Sequence, residues 1–302
     1  MEWPIRILFF ALGALAVSSC GSKTTIIPSD SLQTANNDAV LEIITDEMDD
    51  LASVVLNSST DSGSASGGRM EALTDDRLTC SGTTIVFSNV STDKSSGTAA
   101  ITFPEAGCKD IKGNVRKGSI LITWTGGKWY KKGATHSIIL NNYNINDIAI
   151  MGTRVLACDS FTFVSSKSLA VRWNLTASHT LTWPDASTAT FKVNKTRKWD
   201  HSAAEEIYAH TNGPNGDFAL SGTNRHGKEF NVSIVTPLFY AWSCTKISKN
   251  FMPISGTKVL TVVATGKTLA INYGTGICDN SYVLTVDGIK QTLHAKNNSS
   301  DD

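Results

Sequence analysis

The chain lacks most of what marks a recognisable activity. Its 27 basic residues are matched by 27 acidic ones. There is therefore no cationic excess to draw it onto a phosphate backbone, and nucleic acid is not expected as a partner. No CxxC occurs among the six cysteines. The six histidines, at 136, 179, 201, 210, 226 and 294, never stand at i,i+4 on a helical pattern or beside a cysteine pair. Zinc-type spacing is thus missing, and no metal or cofactor is expected. GxSxG, a Walker loop and a dinucleotide fingerprint are missing too. Asp200-His201-Ser202 holds the residue types of a triad, but triads are defined by spatial geometry and sequence neighbours rarely converge. Glu205 and Glu206 would point to opposite faces of a strand, so they do not form the opposed carboxylates of a glycosidase. No catalytic residue is assigned.

Long apolar runs are also missing, with one exception. Residues 7–17 are unbroken apolar, follow Arg6, and lead through Ser18 and Ser19 to Cys20. This run is about half the ~20 residues that a bilayer-spanning helix needs. It has the layout of a signal peptide over 1–19, with lipidation expected at Cys20. Val17-Ser18-Ser19-Cys20 resembles the bacterial lipobox, whose cysteine receives diacylglycerol. Two or three acyl chains, at about 0.8 kcal/mol per buried methylene, hold a soluble body on a membrane without a spanning helix. Gly21 follows the cysteine where an inner-membrane retention signal would place Asp, so the resemblance implies an outer-membrane destination, periplasmic or surface-exposed.

What is present after Cys20 is largely strand. Residues 20–35 are Ser/Thr-rich without periodicity, the composition of a flexible tether. Over 36–57, Val40, Ile44, Met48, Leu51 and Val55 recur at spacings of three and four and predict one amphipathic helix, capped by Asn36 or Asn37. The acidic run 46–50 falls on the rest of that helix, and its expected place is a solvated face. Residues 58–75 read as a linker. From 76 to 297 come twelve short β-branched or aromatic runs, at 83–87, 99–103, 119–124, 137–140, 161–164, 170–175, 180–183, 188–193, 229–235, 258–263, 268–273 and 282–286, with turn residues between them. No helix-length pattern intervenes, so the predicted body is all-β with antiparallel sheets, as a sandwich, a roll or an elongated twisted sheet. Residues 298–302 are expected to be a disordered tail.

Two weak echoes run through this body. The segment 100–110 lies over 270–280 with its cysteine and aromatic residues in step, each an apolar strand ending in a cysteine-bearing turn. Cys80 precedes the first cysteine by 28 residues and Cys244 precedes the second by 34. The expected disulfides are Cys80–Cys108 and Cys244–Cys278, with Cys158 left over; each loop closure contributes about 3–4 kcal/mol in the chain-entropy account. Gly152-Thr153, Gly222-Thr223 and Gly256-Thr257 form the second echo. A glycine there permits a bulge or a close backbone approach. Together the echoes suggest two related β-units.

The most suggestive stretch for binding is 109–132, where seven cations accompany Trp124, Trp129 and Tyr130. Trp124, Lys128, Trp129, Tyr130 and Lys131 are the candidate ligand residues, because aromatics beside cations stack on sugars or engage anionic headgroups. The competing arrangement has the aromatics packed inward and the lysines solvating two hairpins.

Gly107-Cys108-Lys109-Asp110, Gly118 to Gly126, Asn142 to Asn146, the segment 220–230 (LSGTNRHGKEF) and 273–280 (YGTGICDN) resemble a group of uncharacterised envelope lipoproteins from Bacteroidota. That resemblance implies an envelope location and a β architecture and supplies no catalytic residue. The expectation is a non-enzymatic, lipid-anchored envelope module, structural or binding a glycan or lipid. The rivals are a glycan- or lipid-processing enzyme and an accessory subunit of an outer-membrane protein assembly.

Overall fold

A computed structural model describes residues 26–61, 75–127, 130–165, 168–201, 206–247 and 250–294. Cys20, the signal peptide 1–19, most of the linker, Lys128, Trp129 and the tail 298–302 lie outside the described residues. Among those described, no helix is long and apolar enough to cross a membrane.

One helix, α1 (Ser29–Asp61), precedes fourteen strands. These are β1 (Thr84–Ser88), β2 (Gly97–Lys109), β3 (Val115–Thr125), β4 (Thr135–Ile145), β5 (Ile148–Ser165), β6 (Ser168–Thr182), β7 (Thr188–His201), β8 (Glu206–Asn212), β9 (Leu220–Thr223), β10 (Glu229–Ala241), β11 (Ser255–Val262), β12 (Thr268–Thr275), β13 (Ser281–Val286) and β14 (Ile289–His294). All belong to one antiparallel sheet, in which nearly every strand pairs with its sequence neighbours. The exception is one lane between β7 and β10, shared by β8 at one end and β9 at the other. Between these two the chain leaves the ladder over 213–219. Asn212 fills part of the gap with its side chain, donating to the Ile234 carbonyl at 3.1 Å and accepting from the Ile234 N–H at 2.7 Å.

The all-β expectation with one helix thus holds, and the fourteen strands form one continuous antiparallel sheet. The echoed segments are the ends of β2 and β12, which lead to Cys108 and Cys278. Cys80 and Cys108 lie at disulfide distance, as do Cys244 and Cys278, each with Cα atoms 5.6 Å apart. Cys158 is buried and free, its thiol 3.4 Å from the Tyr130 carbonyl.

The helix corrects two expectations. It begins at Ser29, directly after Pro28, so residues 29–35 are helical and not tether, and it runs on to Asp61. Tertiary contacts hold this polar first turn. Asn224 donates to the Thr34 hydroxyl at 2.9 Å, Tyr282 donates to Asn36 at 2.6 Å, and Lys228 pairs with Asp30. The second correction concerns its surroundings, since every residue from 37 to 52 is buried. Its partners come from β3, β5, β7, β10, β11 and β13, so the sheet curls around the helix and encloses it.

Strand alternation explains how. On β7, Ala189, Phe191 and Val193 face inward and Lys192 and Lys198 outward, and the same phase carries Lys195 and Arg197 to the inside. The three Gly-Thr sites sit where strands press together. A Cβ on Gly152, Gly222 or Gly256 would stand 2.0, 1.9 or 2.2 Å from a carbonyl oxygen of the neighbouring strand.

Candidate functional site

The acidic run of α1 is not a solvated face. Six acidic residues of the helix, Asp38, Glu42, Asp46, Glu47, Asp49 and Asp50, meet six cations of the body inside the sheet. Asp38 is 2.6 Å from Lys258. Glu42 takes Lys195 at 2.6 Å, Lys258 at 3.1 Å and the Tyr240 hydroxyl at 2.7 Å. Asp46 and Asp49 share Arg154 and Arg197, and Glu47 pairs with Arg116. Arg77 is 2.6 Å from both Asp50 and Asp75. The desolvation cost of burying these ions is large, and pairing is what makes the arrangement tolerable.

Burial pushes the Asp49 carboxyl up, but the guanidiniums of Arg154 and Arg197 outweigh it and hold the group below the ordinary carboxylate range. Burial likewise raises Glu42, and the ammonium groups of Lys195 and Lys258 bring it well below its usual value. Asp38 goes the other way, raised by burial in spite of Lys258. Glu42, Asp46 and His210 place ligand atoms within 4.8 Å of one another. Their oxygens already have Lys195, Lys258 and Arg197 as partners, and His210 Nε2 accepts a hydrogen bond from Arg197 Nε at 2.8 Å. A metal would have to displace these cations, so the cluster is an ion-pair centre and a poor metal site.

Beyond the charged centre, the last turns of α1 border a cavity of about 320 Å³. One wall is aromatic. Trp173 on β6, Trp199 on β7 and Tyr208 on β8 share the inward phase of their strands. The connection from β10 to β11 contributes Trp242, 38% exposed at the mouth, and Phe251, which is buried. Cys244, in the same connection, ties it to Cys278. The neighbouring strands β4 and β5 add His136, Ile138 and Leu156, and the charged part of the lining, its floor, is Asp46, Asp49, Asp50 and Arg197. Tyr208 is held from behind by Tyr240, stacked at 4.6 Å, and by the Arg197 guanidinium 4.9 Å from its ring centre. Burial lowers the pKa of His136, with Asp49 opposing, so its imidazole is neutral at pH 7. The apolar lining continues along the inner face of the β5–β6 hairpin through Val171 to Phe161 and Phe163, the last 69% exposed.

The residues singled out by sequence for ligand contact lie elsewhere or apart. Trp124 is in the core. Its indole N–H donates to the Lys94 carbonyl at 3.2 Å and its ring occupies the space that a side chain at Gly97 would need. It offers no face to a ligand. Tyr130 packs against Phe161 with ring centres 6.0 Å apart and joins the small cluster of Ala134, Cys158, Val171 and Trp173. Lys131 is exposed. Trp173, Trp199, Tyr208, Trp242 and Phe251 escaped sequence reading because they come from five segments and form no local motif. A signal did exist for the charged centre. Lys195, Arg197 and Lys258 occupy the apolar phase of alternating strands, where an unpartnered cation would be untenable.

No family model, curated protein or solved structure matches this chain.

Proposed function

We propose that this chain is a lipid-anchored cell-envelope module that binds a small amphipathic ligand in the aromatic cleft at the end of α1 and does not transform it. The anchoring half rests on the lipobox-like Val17-Ser18-Ser19-Cys20 and on the resemblance to Bacteroidota envelope lipoproteins. The binding half rests on one observation, the 320 Å³ cavity with three indoles and a phenol over an ionic floor. Its size and its mix of apolar wall and few polar groups are those of small-molecule sites. What supports the reading of binding without glycoside hydrolysis is the state of the carboxylates on the cleft floor. A glycosidase needs one carboxylic acid that stays protonated. Asp46 and Asp49 on the cleft floor are engaged by two arginines, and Asp49 is kept ionised.

The test uses full-length protein extracted in detergent. Its intact mass should carry the acyl groups at Cys20, and Cys20→Ala should release it from the membrane fraction. A thermal-shift screen against glycans and lipids should then give at least one hit, because a ligand at a hundred times its Kd adds about 2.7 kcal/mol of stability. Trp199→Ala should abolish that shift. A screen without hits, or a hit that Trp199→Ala leaves intact, would overturn the binding site.

A further inference from the structure

We infer that the far end of the β5–β6 hairpin takes an extended peptide, which pairs with the open edge of β5 and brings an acidic C-terminal end to Lys131 and Lys132. Residues 159–165 adjoin the aromatic cleft but do not line its cavity, so this surface is a second one.

The edge comes from a mismatch in strand length. Strand β4 begins at Thr135, with Ala157 as its partner, whereas β5 runs on to Ser165. On its other side β5 stays paired with β6 as far as Ser165 and Ser168. Among the described residues no strand occupies the lane that β4 leaves, and Asp159, Ser160, Phe161, Thr162 and Phe163 are all exposed.

The backbone of this stretch is turned toward the open lane. Cys158 donates its N–H to the Ala134 carbonyl at 2.8 Å, and its own carbonyl accepts the Gly133 N–H at 2.9 Å, both on the β4 side. A shift in register follows between Cys158 and Ser160. Beyond it Phe161 and Phe163 share the inward face of Cys158, so their N–H and C=O groups point to the β4 side as well. Edge strands are ordinarily guarded by lysine, proline or a covering segment. Residues 159–165 contain neither lysine nor proline, and Phe161 and Phe163 are left 37% and 69% exposed beside the lane. An added strand would continue the ladder and lay alternate side chains over those rings. A saccharide or an acyl chain has no repeating row of donors and acceptors to match such an edge.

The lane also sets the direction and charge of its occupant. A partner antiparallel to β5 runs in the direction of β4, so its C-terminal end comes to Gly133 and Ala134. There the protein's own chain turns away, with φ +85° at Gly133. Lys131 and Lys132 belong to that turn and are exposed. The acid at the same end, Asp159, is taken by Arg172 at 3.6 Å. A terminal carboxylate or a last acidic residue is the complementary group. At about 3.4 Å per residue the lane from 159 to 165 is roughly 24 Å long, room for about five to seven residues.

The experiment offers full-length protein in detergent a bead library of hexapeptides with free C-termini, and the retained peptides are sequenced. The expected ones alternate apolar with polar residues and end in glutamate or aspartate. One of them, labelled with fluorescein, should bind saturably by polarisation, and its amidated, lysine-ended counterpart should bind about tenfold more weakly. Phe163→Ala should weaken the acidic peptide about tenfold. Phe163 is exposed, so the melting temperature should stay near that of the parent. Lys131→Glu combined with Lys132→Glu should reverse the preference between the two peptides. An empty library overturns the inference, as do retained peptides whose affinity ignores both the phenylalanine and the lysine variants. A concentration-dependent dimer in sedimentation that Phe163→Ala abolishes overturns it too, because a second copy would then fill the edge.

Discussion

Glu42 shows how the interior is held at the scale of a single residue. Its two oxygens engage Lys195, Lys258 and the Tyr240 hydroxyl, which reach it from β7, β11 and β10. Removing one member of a buried ion cluster leaves its partners uncompensated, which costs about 3–5 kcal/mol. Glu42→Leu should therefore lower the urea unfolding free energy by that amount, and adding Lys195→Met should restore part of it. A double variant that loses as much as the Glu42→Leu and Lys195→Met losses added together would mean that the two residues are not coupled. None of this was legible locally. Apolar residues on one side of a helix and acids on the other give the same periodicity whether the acids meet water or arginine. The deciding cations lie at 77, 116, 154, 195, 197 and 258, scattered over the chain. Trp124 follows the competing arrangement, with its ring packed inward. Its cationic neighbours suggested a surface, while the space left by Gly97 across the β2–β3 pairing, where the two residues are partners, takes its ring into the core.

Among the elements, the strands were mostly readable and their joints were not. Alternation and turn residues located most of the sheet, but β5 was anticipated only over 161–164, whereas it spans Ile148–Ser165. Strands β8, β9 and β14 were not anticipated at all, because Glu206–Asn212 and Ile289–His294 are too polar to stand out and Leu220–Thr223 is too short. The pairing of the cysteines was readable, since each pair brackets a strand end that the echo had marked. So were the Gly-Thr sites. At Gly222 a methyl group would stand 1.9 Å from the Thr190 carbonyl oxygen, and backbone cannot yield as a flexible side chain does. Gly222→Ala should destabilise the protein by about 1–3 kcal/mol, the usual cost of overpacking. A denaturant midpoint equal to that of the parent would show that β7 and β9 can move apart there without loss.

For the whole molecule, the buried ionisable groups set an acid limit. Burial, reinforced by Arg154, lowers His179 from its ordinary 6.5 to about 4, and burial also lowers His136 and His210. A depressed histidine is neutral when folded, so the unfolded chain takes up the proton first. Its contribution is complete above about pH 6.5 and is lost as pH falls toward about 4, worth about 3 kcal/mol for His179 alone. Glu42 and Asp49, also depressed, extend the loss below pH 4. Asp38 has the opposite sign, since its raised pKa costs stability at neutral pH and returns some of it on acidification. The net expectation is a steep fall in unfolding free energy between pH 6.5 and 4, measurable by urea titration at a series of pH values. A flat profile across that window would mean that the histidines are solvated.

Enclosure of α1 also has a consequence for how the molecule is made. The segment that leaves the ribosome early is the one that ends up at the centre, and its partners trail it by 105 residues at Arg154, 216 at Lys258 and 246 at Tyr282. A helix so rich in acids gains little from standing alone, and contacts so distant in sequence make assembly slow. The helix therefore gains its full set of partners only once the last strands of the sheet are in place.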